Sequence, residues 1–203
     1  MIIGINGYSG SGKDTIGTII QELGPHQNWE IKKFAGKLKQ IAEMLTGIDI
    51  SMFEDQDFKK TNLPDEWRVH GMPMTYREFL QKLGTDAMRE GLHDDVWVNA
   101  LMADYKPELR IETDHPHSEF LTTKYPNWII TDVRFPNEAR AIKKKEGMII
   151  RVERPGVKPI NNHPSEIGLD HWKFDYKIGN ASDLIALKAS VEIILKENDL
   201  IYD

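Results

Sequence analysis

Three groups of residues have the types and spacing to do chemistry. Gly7-Tyr8-Ser9-Gly10-Ser11-Gly12-Lys13 fits G-x-x-x-x-G-K, a phosphate-binding loop. Its glycines let the backbone take φ > 0 and turn successive N–H groups inward. A helix that follows points its positive end at the same spot. Lys13 adds a point charge on the outer phosphates. Asp132 ends the apolar run Trp128-Ile129-Ile130-Thr131 and is a carboxylate suited to Mg²⁺, directly or through water. Arg134 follows in the same turn, where its guanidinium can pair bidentately with phosphate. Arg154 and Lys158 are cations on the Pro- and Gly-rich stretch 154–159, which suits a lid over phosphates or is an ordinary connection.

One residue departs from the usual loop. After the lysine a Ser or Thr normally offers a hydroxyl to Mg²⁺, but here Asp14 stands there and Thr15 comes one step later. A carboxylate beside phosphates repels them unless it points away or meets a cation. The expectation is that Thr15 supplies the hydroxyl and Asp14 faces a cation.

The elements that must hold these groups follow from periodicity. Met1–Asn6 is an apolar strand feeding the loop, and Ile16, Ile19, Ile20 and Leu23 mark the helix after it, closed by Gly24-Pro25. A second strand is expected over 29–35. A second helix is expected from Gly36 to Gly47, with Leu38, Ile41, Ala42 and Leu45 on one face. Strand–helix–strand–helix order argues for a parallel sheet covered by helices. Residues 48–75 have no sustained period and are expected to be a substrate-side segment. Thr75 and Glu78 form a capping box for a helix to about Glu90, with Phe79, Leu80, Leu83, Ala87 and Met88 inward. Gly84 within it implies close approach of another helix or a ligand. Gln81, Thr85 and Arg89 fall at i+4 steps, either as a solvated stripe or as donors facing a nucleotide.

Asp94 or Asp95 caps a short helix over 96–103. Residues 106–127 read as a polar loop, in which His115 and His117 have no partners at metal spacing and are taken as solvated. Strands are expected over 148–153 and 174–180. Asn180-Ala181-Ser182-Asp183 then caps a last helix, with Leu184, Leu187, Val191 and Ile194 toward the sheet.

Composition excludes several classes. The net charge is −6 and Lys143-Lys144-Lys145 is the longest basic block, which argues against a nucleic-acid polymer as ligand. There is no cysteine, so disulfides and thiolate zinc sites are ruled out. No apolar run approaches the ~20 residues of a membrane span, and no leader is visible. A cytoplasmic protein is expected, in the host cytoplasm if the source is viral.

With these segments in view, the sequence resembles the bacteriophage deoxynucleoside monophosphate kinases. The carrying residues are Gly10–Thr15, Phe34-Ala35 with Leu38-Lys39, Leu80-Gln81 with Gly84-Thr85-Asp86 and Arg89, Ile130–Glu138, His163–Glu166, and Asp175-Tyr176 with Asn180. The Asp after the loop lysine is itself a mark of that family. The resemblance implies a single α/β P-loop kinase domain over 1–203, a parallel β-sheet with helices on both faces. Beside it, a substrate-side insertion with helices is expected over 48–105 and a lid over 154–166. The resemblance also implies transfer of the γ-phosphoryl of ATP to a deoxynucleoside monophosphate with Mg²⁺.

The residues that would carry the reaction are Lys13, Asp132, Arg134 and Arg154. Gly10, Ser11, Gly12, Lys13, Asp14, Thr15 and Asn180 would hold ATP, with Asn180 against the adenine. Lys39, Gln81, Thr85, Arg89 and Arg134 would hold the acceptor, and Thr15 and Asp132 the metal. A homodimer is implied by the resemblance alone. Two other readings stand beside this one: a P-loop kinase acting on another phosphorylated acceptor such as phosphomevalonate, and a nucleotide-binding switch.

Overall fold

The computed structural model describes residues 1–115, 118–161 and 163–201. These fold as two compact units, one of residues 1–33 with 103–201 and one of residues 34–102.

The first unit is built on a five-stranded sheet. Its strands are β1 (Ile2–Asn6), β2 (Trp29–Lys32), β5 (Asn127–Ile130), β6 (Met148–Glu153) and β7 (Tyr176–Gly179), and its order is β2-β5-β1-β6-β7. Every pairing in it is parallel. A parallel sheet buries both faces, so its strands read as near-continuous apolar runs. All five residues of β1 are buried accordingly. Ile3 and Ile5 point to a core shared with Ile16, Ile19 and Ile20 of α1 (Lys13–Leu23) and Leu187, Val191, Ile194 and Leu195 of α7 (Leu184–Glu197). Gly4 faces the other side, where a Cβ would come within 2.7 Å of Ile142 Cδ1 on α5 (Pro136–Lys144). Helices therefore cover both faces, as a doubly wound α/β fold requires.

Because all five strands are parallel, the turns leaving β1, β5, β6 and β7 emerge at one edge. Residues 7–12, 131–135, 154–158 and Asn180 lie there, beyond the carboxyl ends of the strands, where open α/β sheets bind ligands.

The second unit contains α2 (Gly36–Thr46), α3 (Tyr76–Gln81) with a π-helical continuation over Lys82–Glu90, and α4 (Val96–Met102). The capping box holds as expected: Thr75 Oγ1 accepts from Glu78 N–H, and Glu78 Oε2 accepts from Thr75 N–H. Residues 48–75 have short 3₁₀ turns and no long element. They pack around Phe53, Leu63, Met74, Tyr76 and Phe79, and the rings of Phe58 and Tyr76 stack at 4.5 Å.

Several expectations are corrected. Residues 106–127 are largely an antiparallel pair, β3 (Glu108–His115) with β4 (Ser118–Lys124), and not a loop. Cross-strand pairing outweighs the polar composition there. His115 ends β3, and His117 lies outside the described residues. Strand β2 stops at Lys32, because its partner β5 ends opposite it at Ile130. In the long helix of the second unit Ala87 is exposed, while Gly84, Thr85 and Arg89 are buried. The π-helical turn holds more residues than 3.6, so the apolar stripe drifts off its expected face. Leu45 and Leu184 are exposed at 51% and 61%. Leu184 is the first residue of α7, and the buried stripe starts a turn later at Leu187. Among the described residues, no helix is long and apolar enough to cross a membrane.

Candidate functional site

The phosphate loop leaves β1 with Gly10 and Gly12 at φ 81° and 102°, a backbone that side chains disfavour. Gly12 is also the residue before α1, and a Cβ on it would lie 2.5 Å from Asn180 Nδ2. Asn180 Nδ2 donates to Ser11 O at 2.9 Å, so the end of β7 braces the loop. Arg154 Nη1 donates to Gly10 O at 3.4 Å from the neighbouring turn. Ser11 Oγ is buried without a hydrogen-bond partner. The Ser11 N–H is engaged by Tyr8 O at 3.1 Å, but a buried, unpaired hydroxyl in this loop fits an anion that is to be bound there.

Lys13 is the first residue of α1 and is 9% exposed. Its Nζ donates to Tyr8 O at 2.8 Å. Burial, aided by the charge of Arg134, lowers its ammonium to about 8, against the pull of Asp14, Glu166 and Asp132. A desolvated lysine in such a loop is set up for the negative charge it lacks. Gly10, Ser11, Gly12 and Lys13 thus lie together between β1 and α1.

Asp14 does meet a cation. Its Oδ1 accepts from Thr131 Oγ1 at 2.7 Å and lies 3.3 Å from Lys33 Nζ. Burial alone would raise its carboxyl, but the Thr131 hydrogen bond and the charges of Lys33 and Lys13 outweigh it and hold the carboxyl below its ordinary range. Thr15 is exposed on the first turn of α1. Lys33 and Thr131 carry no motif. They meet because Lys32 and Ile130 are register partners on β2 and β5, which places the next residues side by side.

The turn after β5 carries Asp132 and Arg134, both part-exposed. Buried Glu138 closes it from α5: Glu138 Oε2 accepts from Arg134 N–H at 2.7 Å and from Phe135 N–H at 3.1 Å. Arg134 Nη1 donates to Glu166 Oε1 at 3.0 Å and to Ser165 O at 3.2 Å. The Glu166 side chain is only 3% exposed, and its Oε2 has no partner. Glu166 sits on α6 (Pro164–Ile167), which His163 caps by accepting from Ser165 N–H at 3.2 Å. The sequence alone assigns no role to Glu138 or Glu166, although both lie in segments that carry the resemblance. Among the described residues, no three His, Asp or Glu side chains gather as a metal cage. Mg²⁺ at a phosphate site is commonly held by one or two protein groups plus substrate phosphates, and Thr15 with Asp132 fits that donor set.

In the second unit Arg89 is 8% exposed and donates from Nη1 to Asp94 O at 3.1 Å. Thr85 is buried and Gln81 part-exposed on the same helix. Gly84 answers the close approach expected of it: a Cβ there would lie 2.9 Å from Leu38 Cδ2 of α2, and its carbonyl accepts from Trp97 Nε1 at 2.9 Å. Lys39 pairs with Glu54.

The family model described as deoxynucleotide monophosphate kinase matches residues 48–191. The chain belongs to the deoxynucleotide monophosphate kinase family. The phosphate loop lies outside the matched span, so the two observations are independent. A putative deoxynucleotide monophosphate kinase of Acanthamoeba polyphaga mimivirus is 33% identical over 178 residues, covering 83% of this chain and 82% of that protein. The deoxynucleotide monophosphate kinase of Enterobacteria phage T4 is 27% identical over 135 residues, 66% of this chain and 48% of that protein. Among solved structures, shikimate kinase from Aquifex aeolicus superposes with a TM-score of 0.44 at 12% identity, covering 98% of this chain and 99% of that one. At that score the likeness adds nothing to the sheet order, from which the fold of this kinase is read.

Proposed function

We propose that this kinase transfers the γ-phosphoryl of ATP to a deoxynucleoside monophosphate, giving the diphosphate, in a site formed by the loop and turns at the carboxyl edge of the sheet. The observation that carries the reading is Lys13, a buried ammonium lowered to about 8 at the head of α1 in a loop with an unpaired Ser11 hydroxyl.

The roles follow from charge. Loop amides beside Lys13 and the α1 N-terminus hold the donor phosphates. Lys13 neutralises the outer phosphates and regains full proton occupancy as they arrive. Thr15 and Asp132 are the groups that would hold Mg²⁺, which would supply positive charge to offset that of the phosphates. Arg134 binds the phosphoryl oxygens on which charge builds in the transition state. Arg154, on a turn beside Gly10, covers the donor as a lid residue. Asn180 braces the loop against the donor nucleotide. By the resemblance, Lys39, Gln81, Thr85 and Arg89 of the second unit and, separately, Arg134 of the first are assigned to the acceptor. That acceptor is already a phosphate dianion, so no strong base is required.

An acceptor panel with ATP and Mg²⁺ tests the proposal. ADP release should depend on dAMP, dGMP, dCMP, dTMP or 5-hydroxymethyl-dCMP, with ribonucleotides and phosphomevalonate as controls. Failure of every deoxynucleotide overturns it. ATP consumption at one rate with and without acceptor would instead favour a hydrolytic switch.

A further inference from the structure

Arg151 has no place in the assignments above, yet it is the most buried guanidinium described beside the site, at 7% exposure on β6. A buried cation is costly unless each of its groups is satisfied. Arg151 is satisfied by three different segments. Nη1 donates to Asn6 Oδ1 at 2.5 Å, at the end of β1. Nη2 lies 3.4 Å from Asp170 Oδ1, four residues beyond Glu166. Its guanidinium carbon stands 4.5 Å from the ring centroid of Tyr8, in the phosphate loop, with Phe174 at 5.7 Å.

Each partner passes the constraint on. Asn6 Nδ2 donates to Val133 O at 2.7 Å, so the amide that receives Arg151 also grips the residue between Asp132 and Arg134. Tyr8 Oη donates to the same Asp170 oxygen at 2.9 Å, which closes a ring of Arg151, Tyr8 and Asp170. The Tyr8 carbonyl accepts from Lys13 Nζ at 2.8 Å. A single planar group thus ties the lysine loop, the Asp132–Arg134 turn and the segment after Glu166.

We propose that Arg151 is a positioning residue of the kinase, acting through Asn6 on the Asp132–Arg134 turn and through Tyr8 and Asp170 on the phosphate loop. It touches no reacting atom. The inference rests on the assignment of those two segments to phosphoryl transfer. Lysine cannot replace it, because an ammonium has no planar face to stack and no fork to reach two acceptors at once.

Steady-state kinetics on folded variants, with both substrates varied, test the proposal. Asn6→Asp is the selective probe. It keeps an acceptor for Arg151 but removes the donor to Val133 O. Its kcat per folded molecule should fall about 10-fold or more, beyond whatever stability is lost with the unpaired Val133 carbonyl, since small displacements of positioned groups are expensive in rate. Arg151→Lys should lower kcat about as much and raise the KM for ATP as well, because both branches are cut. Wild-type kcat and KM in folded Asn6→Asp or Arg151→Lys would overturn the proposal. So would losses that match only the folded fraction. Should Arg151→Lys not fold, Asn6→Asp decides alone. An inactive wild type with normal folding would instead count against the kinase reading.

Discussion

Arg134 and Glu166 form an ion pair at 3.0 Å in which the carboxylate is almost wholly buried and the guanidinium is half-exposed. The second carboxylate oxygen has no partner. A group proposed to receive phosphoryl oxygens is therefore already oriented by an anion. Arg134→Ala removes both functions. Turnover should fall about 100- to 1,000-fold, the loss typical of one electrostatic donor to a transition state. Stability should fall by about 1–3 kcal/mol, because Glu166 is left buried without its cation. Glu166→Gln keeps an acceptor but removes the charge, so nucleotides should bind several-fold tighter in the more positive site. Initial rates, nucleotide titration and urea denaturation check these outcomes. Unchanged turnover in Arg134→Ala contradicts the role.

With Lys13 proposed to meet the donor phosphates, ATP binding is expected to be proton-linked. Its folded pKa of about 8 lies below the ordinary lysine value, and phosphates raise it. At about pH 9, ATP binding should take up close to one proton, and at about pH 6.5 far less. Calorimetry in buffers of different ionisation enthalpy measures this, and equal uptake at both pH values refutes it. The stability effect has a defined sign. Between about 8 and the ordinary lysine range the folded Lys13 has lost its proton and the unfolded one keeps it, so the unfolded state binds more protons and stability rises with pH. Lys13→Met should lose that rise.

Thr15 is proposed to meet the metal, whereas Asp14 is engaged by Thr131 and Lys33. Thr15→Ala should raise the Mg²⁺ concentration for half-maximal turnover about 10-fold, the scale of a lost metal-site partner. Asp14→Asn should leave it nearly unchanged, since Asp14 is engaged by Thr131 and Lys33. The Asp14 carboxyl sits below its ordinary range, so its stabilisation is present above the unfolded value and lost as pH falls through the folded one. Wild type and Asp14→Asn should converge in stability in acid. Normal Mg²⁺ dependence in Thr15→Ala, with Asp14→Ala inactive, would reverse the assignment.

Gly12→Ala should abolish high-affinity ATP binding. Its φ of 102° and the 2.5 Å approach of Asn180 Nδ2 both exclude a methyl group. The strained backbone costs about 1–3 kcal/mol. Adding Asn180→Ala removes the clash but not the φ, so the double variant should regain only part of the loss. Thermal denaturation with ATP titration reads both. Full recovery would mean that the contact alone mattered.

Much of the fold was legible because its strands are apolar on both faces and its helices carry stripes at 3.6 spacing. The phosphate loop was legible because strand, glycines, lysine and helix are contiguous in sequence. The β3–β4 pair was not, since its polar composition hides a pairing that only a cross-strand partner completes. Ala87 was misplaced because nothing local announces a π-helical turn. The cation facing Asp14 was expected in kind and not in name, because Lys33 reaches it through the register of β2 with β5.

The order of residues by itself determined the chemistry of Gly7 to Thr15, the carboxylate and arginine after β5, and the parallel class of the sheet. These are local properties, set by neighbours a few positions away. Only the tertiary structure decided that Glu166 orients Arg134, that Asn180 braces the loop, and that Arg151 joins Asn6, Tyr8 and Asp170. Those contacts span between 19 and 169 positions of sequence. They exist because parallel strands deliver distant turns to one edge, where buried polar groups must find partners or remain unpaired.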